Sequence, residues 1–278
     1  MKKYFHLIWN TTNMVFLFLF TIILSFAMLE DKKSGYDEEL VYSIVHPLGT
    51  DANGNDKLLE LSSATFKNVS YAFFSLIPFL CIGISFGIVL GYVEKQSKKP
   101  NKTLFKANNI KYIFYWIAHF ITNIIQSIPI ALVVIIGALI SERLIPSSNY
   151  RIYFVMALFG VFSIPGLVYS IEDEIKRLKK LEFIQAAKAL GVSKWRLIFV
   201  DLLWHSCRHI ILIRTINLFL SAVAIEIFLS FARMMRYTNT LGVLLERRNY
   251  ELITTIFICM MFISLRGFVD RIAYEIEG

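Results

Sequence analysis

Charge is scarce in this chain. Only 18% of its 278 residues are Asp, Glu, Lys or Arg, while 56% are apolar. Ordinary soluble domains carry about 25% charged residues. A soluble fold of this length needs no apolar runs of about twenty residues, yet several are present. Cysteine is scarce too. Cys81, Cys207 and Cys259 are widely spaced, with no CxxC pair and no Cys/His cluster. The spacing suggests neither a disulfide framework nor a zinc site. No GxxxxGK[ST] phosphate loop occurs, so the chain shows no means of hydrolysing ATP itself. No Ser/His/Asp set, paired acids or metal constellation converges, which disfavours a membrane-embedded enzyme. The net charge of +8 comes without a nucleic-acid reader motif, and lysines and arginines gathered in loops beside a membrane explain it better. Neither nucleic acid nor a cofactor is expected.

What is present is a succession of apolar runs. They lie near 14–29, 69–93, 112–140, 152–171, 209–231 and 252–269. These lengths predict an all-α polytopic membrane protein with about six transmembrane helices. The first run resembles a retained anchor more than a cleaved signal peptide, although Ser25-Phe26-Ala27 is a weak cleavage-like triplet. A long polar loop with many acids follows it. Basic residues concentrate at Lys2 and Lys3, in the lysine-rich loop before 112, in the 176–208 stretch, and at Arg266 and Arg271. That asymmetry predicts both termini on the cytoplasmic side. The arginines at Arg233, Arg236, Arg247 and Arg248 run against it. Two domains are expected: 1–68, a helix with an extracytoplasmic loop, and 69–278, the main membrane domain with a cytoplasmic loop at 172–206.

Polar residues inside spans cost free energy and ask for a reason. His119, Asn123 and Gln126 recur at helical spacing on one face of the third span. They either line a translocation pathway or bond helices together. Arg214 and Glu226 lie on the fifth span, twelve residues apart, and are further candidates for that lining. Gly83, Gly87 and Gly91 form a GxxxGxxxG row, expected to pack closely against another helix. Pro78, Pro129 and Pro165 are candidate kinks.

The 182–204 stretch reads EFIQAAKALGVSKWRLIFVDLLW. Phe183, Ala186, Ala187 and Leu190 share one helical face, Gly191 is a natural stop, and Ser193 is placed to cap a second helix beginning at Lys194-Trp195-Arg196. Such a pair of helices either lies on lipid headgroups or presents its small alanines to another surface. The 46–66 stretch holds Pro47, Gly49, Thr50, Asp51, Gly54 and Asp56. Pro47 and the glycines predict a turn, with Asp51 and Asp56 bonding local amides.

Both stretches resemble one family. The first is similar to the cytoplasmic EAA loop of binding-protein-dependent ABC permeases, matched at Glu182, Gln185, Ala186, Ala187, Gly191 and Trp195. Here Gln185 replaces the usual glutamate, and Leu203-Trp204 replaces Leu-Pro. The second resembles the outer segment of the C-type permease of oligopeptide, dipeptide and nickel importers, with Asn55 in place of an arginine. Weaker likenesses fall at Ile128-Pro129, Pro165-Gly166, Glu226 with Leu229-Ser230-Phe231, and Leu241-Gly242. A Gly-Leu-Gly is replaced by Ala232-Arg233-Met234-Met235. The resemblance spans about 46–270. It implies a type I importer permease fold and a subunit without its own nucleotide site. It also implies a homologous permease partner, two ABC ATPase subunits, an extracytoplasmic solute-binding protein, and a peptide, nickel or metal-chelate solute. A non-transporting sensor or assembly protein built on a degenerate permease is the alternative.

Overall fold

The chain is seen in a computed structural model. It describes residues 48–51, 54–92, 109–182, 184, 189–193, 196–234, 239–247 and 251–277. The expected first span at 14–29, and Pro47, lie outside these residues. Eight α-helices are described: α1 Lys57–Tyr92, α2 Asn109–Ser127, α3 Ile130–Leu144, α4 Ser148–Phe162, α5 Ile164–Leu178, α6 Arg208–Phe231, α7 Leu241–Glu246 and α8 Glu251–Glu277. A π-wound segment, Leu197–Cys207, leads into α6. The only extended pairing among the described residues is an isolated bridge between Thr50 and Asp56. Three helical stretches are long and apolar enough to cross a membrane: Lys57–Tyr92, Tyr150–Leu178 and Arg208–Phe231. The apolar part of α8, Leu252–Gly267, is shorter.

α1 begins well before its apolar run, and the turn before it explains why. Gly49 and Gly54 adopt φ of 74° and 75°, the left-handed region that glycine enters without a Cβ clash. The Asp51 carboxylate accepts the Asn55 amide N–H at 2.7 Å and the Asn55 side chain at 3.2 Å. Asp56 Oδ1 accepts the N–H groups of Leu58 at 2.7 Å and Leu59 at 3.4 Å. An aspartate in that place satisfies the free amides of a first helical turn. Thr50, Asp51 and Asp56 are all buried, so these polar groups serve the turn itself.

The expected third span is not one helix. α2 and α3 meet at a bend of 85° between Ser127 and Ile130. Pro129 removes an amide donor and clashes with the preceding turn. Hydropathy averages straight across such a break. The other two prolines behave differently. Pro78 sits inside a continuous α1. Pro165 falls in the first turn of α5, where its missing N–H has no partner to lose, and Ser163 separates α4 from α5.

The described residues form two compact units. One holds the segments up to Phe74, Ile135–Met156 and Phe219 onward. In it Tyr153 packs edge-on against Tyr71 and Phe74, with ring centroids 5.1 and 5.2 Å apart. Arg247 pairs with Glu60 at 3.1 Å, and Arg233 with Glu246. These two arginines, out of place by the loop-charge rule, therefore have carboxylate partners.

The other unit holds Ser75–Val134 and Ala157–Leu218. Its centre is the glycine row of α1 against α5. A Cβ on Gly83 would lie 2.8 Å from Leu167, one on Gly87 2.8 Å from Ile171, and one on Gly91 2.8 Å from Ile175. The two numberings rise in step, so this part of α1 and α5 run parallel. Lys179 extends the pairing, donating to the Tyr92 carbonyl at 3.0 Å with its ammonium 5.5 Å from the Tyr92 ring centroid. By length and composition the bent pair α2 and α3 fits one broken span or a re-entrant loop.

Candidate functional site

α5 has two faces of opposite chemistry. Ile164, Leu167, Val168, Ile171, Ile175 and Leu178 are buried. The open face carries Gly166, Tyr169, Ser170, Asp173 and Arg177, at helical spacing. Most of that face lies in a stretch apolar enough to span a membrane. Polar groups at such depth face protein or water rather than lipid.

Neighbouring helices add polar groups to this stripe from both sides. On one side, the Tyr169 hydroxyl donates to Asn123 Oδ1 of α2 at 2.7 Å. The Asn123 amide lies 3.3 Å from His119 Nε2, and the His119 ring stacks on Tyr115. If Asn123 donates, Nε2 accepts and Nδ1 carries the proton. Nδ1 is enclosed without a partner among the described residues. On the other side, Arg214 Nε of α6 donates to the Ser170 hydroxyl at 3.0 Å, and that hydroxyl donates to the Gly166 carbonyl at 2.8 Å. The Nη1 and Nη2 groups of Arg214 meet no partner among the described residues. Gln126 is exposed further along α2.

Four of the five residues expected on a pathway, His119, Asn123, Gln126 and Arg214, therefore lie on α2 or α6 in one unit. Three of them are linked to one another or to the α5 stripe by hydrogen bonds. Tyr169, Ser170 and Asp173 belong with them and were not singled out from the sequence. Their spacing on the α5 wheel was the available signal.

Glu226 is a correction. It is wholly buried in the other unit, where Asn68 Nδ2 and the Ser230 hydroxyl donate to its carboxylate, the latter at 2.7 Å. Asn68 Oδ1 accepts the Leu241 amide at 3.2 Å. Glu226 thus ties α6 to α1 rather than standing on an open face.

Of the 182–204 stretch, Glu182 is exposed at a helical position, while Gln185, Ala186, Ala187 and Trp195 lie outside the described residues. Gly191 adopts φ of 76° with open space where a Cβ would sit, so backbone conformation is what it provides. Ser193 accepts the Arg196 amide through its hydroxyl at 3.4 Å and the Leu197 amide through its carbonyl at 3.1 Å. Ile184 and Leu197 are buried, whereas Leu190 is 84% exposed and Trp204 66%. The loop is held at two buried points and carries large apolar side chains outward. Beside it, burial and then the Glu174 carboxylate push the Cys207 thiol up to about 11.

Comparison with known proteins accords with this architecture. The glutathione transport system permease protein GsiD of Pectobacterium atrosepticum is 22% identical over 181 residues, 65% of this chain and 52% of the relative. The alignment thus spans about half the relative's length. A chain of the MetNI methionine ABC transporter, solved in inward-facing conformations, superposes with a TM-score of 0.56 at 15% identity, covering 78% of this chain and 95% of that one. It shares the fold. The model of the binding-protein-dependent transport system inner membrane component matches residues 103–274, more than half of the chain and the whole of the α2–α5–α6 stripe. The protein is therefore a multi-pass membrane permease component of the ABC transporter class, a member of the binding-protein-dependent transport system inner membrane component family.

Proposed function

We propose that this chain is one of two homologous permease subunits of an ABC importer. The two subunits form the translocation pathway between them, and the α5 stripe with His119, Asn123, Gln126 and Arg214 is this subunit's share of its wall. Both termini and the 172–206 loop are cytoplasmic. Residues 1–68 supply an anchoring helix and an outer loop, and 69–278 the transport domain. An extracytoplasmic binding protein delivers the solute. Two ATPase subunits grip the loop around Glu182, Gln185, Ala186, Ala187, Gly191 and Trp195. The solute is a peptide, or a related nickel or metal-chelate species. A relative named for glutathione, a small peptide, supports the peptide end of that range.

One observation carries the coupling role: Leu190, 84% exposed, stands beside a left-handed Gly191 on a loop anchored by buried Ile184 and Leu197. A large apolar side chain held out by fixed backbone is suited to a partner's pocket. ATP-driven closure of the ATPases would move the loop. The π-wound segment, which follows it directly, would pass the movement to α6. The free energy comes from differential contacts in two states.

Co-purification tests the proposal. Ala187→Glu and Leu190→Asp should each reduce ATPase retention about tenfold, roughly 1.4 kcal/mol of interface free energy. The permease pair should stay intact on size exclusion. Undiminished retention in both variants would remove the loop from the coupling interface.

A further inference from the structure

We propose that Arg214 is the carboxylate-binding group of the pathway, and that the solute crosses with a free carboxylate seated on its guanidinium. The inference rests on the reading of this chain as a pathway-forming permease subunit, and it narrows the class of solute.

The geometry around Arg214 supports it. Nε is occupied by the Ser170 hydroxyl at 3.0 Å, which fixes the orientation of the guanidinium plane. Ser170 is itself fixed by its bond to the Gly166 carbonyl. The Nη1 and Nη2 groups, the fork that matches a carboxylate in two parallel hydrogen bonds, are left without partners among the described residues.

Nearby acids do not neutralise Arg214. Glu172 pairs with Lys176, and Glu174 with Arg177 at 2.6 Å. Asp173 lies on the same stripe but forms no ion pair with Arg214. An arginine held in a spanning segment with no counter-charge among the described residues is suited to receive one from a solute. Besides the charged Asp173 and Arg177, the stripe and its flank offer the Tyr169 hydroxyl and the Asn123 and Gln126 amides, neutral groups that suit peptide amides. A bare divalent cation would meet repulsion at Arg214.

The test is equilibrium binding to the purified assembly of this chain with its partner permease and ATPases, without binding protein. The probes are trialanine and glutathione, each as the free acid and as the C-terminal amide. At least one free acid should bind the wild type about tenfold more tightly than its amide, about 1.4 kcal/mol. Arg214→Gln should erase that ratio, and Arg214→Lys should keep part of it.

Equal binding of acid and amide by the wild type, or no binding of any probe, would overturn the proposal. So would a ratio that survives Arg214→Gln. If Arg214→Gln instead releases a co-purifying anionic phospholipid and leaves the ratio intact, the guanidinium holds a headgroup phosphate and the proposal fails. Dissociation of the permease pair by Arg214→Gln would make Arg214 a subunit contact, and the proposal would fail in that case too. An assembly that retains its ATPases and hydrolyses ATP yet ignores the carboxylate would sink this inference alone. Failure to retain any ATPase would sink the permease reading as well.

Discussion

Gly160→Ala is expected to destabilise the protein by about 3 kcal/mol, at the upper end of ordinary overpacking. A Cβ at this position would overlap the Ser75 carbonyl oxygen of α1 and come within 3.0 Å of Pro78 Cγ. A side chain can rotate away from such a contact, but a backbone carbonyl in mid-helix cannot without breaking its own helix. The helices must then separate, and the close packing around Gly160 is lost. Gly166→Ala is the matched control, because a Cβ there meets nothing within 4 Å. Alanine in a helix should then be neutral or favourable by about 0.5–1 kcal/mol. Thermal unfolding of the detergent-purified protein checks both. The Gly160 variant should melt several degrees below wild type, and the Gly166 variant at or above it. Equal melting of the two variants would show that the close approach is not required.

Asn68→Ala is expected to cost about 3 kcal/mol as well, through lost hydrogen bonds rather than sterics. Asn68 donates to the buried Glu226 carboxylate and accepts the Leu241 amide, so its removal orphans one group in each of two helices. Asn68 and Glu226 are both fully buried. The cost is chiefly that of leaving the partners unpaired, so removing both members should be milder than removing one. Asn68→Leu combined with Glu226→Leu should recover part of the lost stability. A single Asn68→Ala variant that melts with wild type would show that Glu226 and the Leu241 amide find other partners.

The sequence made some of this visible because the signals were local. The glycine row of α1 was legible as a close-packing surface, since small residues four apart leave few alternatives. The turn at Gly49 to Asp56 was legible because each residue acts on backbone within a few positions. Gly191 and Ser193 end one helix and cap the next for the same reason.

What failed needed information from other helices. Glu226 looked like pathway lining because an intramembrane carboxylate draws that reading, but its partners are distant in sequence: Asn68 lies more than 150 positions away. Asn68 itself sat at the edge of a loop and attracted no notice. Tyr169 and Ser170 were absorbed into an apolar run. Their significance appears only when Asn123 and Arg214 reach them from α2 and α6. The break at Pro129 was anticipated as a kink, whereas a turn of 85° depends on how the two halves pack.

The central claim is that the open face of α5 borders a water-filled path rather than lipid. Cysteine accessibility tests it directly. Cys81 and Cys259 are first replaced by serine. Cys207 can remain, being buried with its thiol pushed up to about 11 and so inert at neutral pH. Ser170→Cys, Asp173→Cys and Phe120→Cys are then exposed to a charged methanethiosulfonate in membranes containing the assembled complex. Phe120 is 65% exposed on α2 and serves as the apolar exposed reference. Rapid labelling at positions 170 and 173, with position 120 unreactive, is the predicted result. Unreactive cysteines at both stripe positions, or labelling no faster than at position 120, would contradict it.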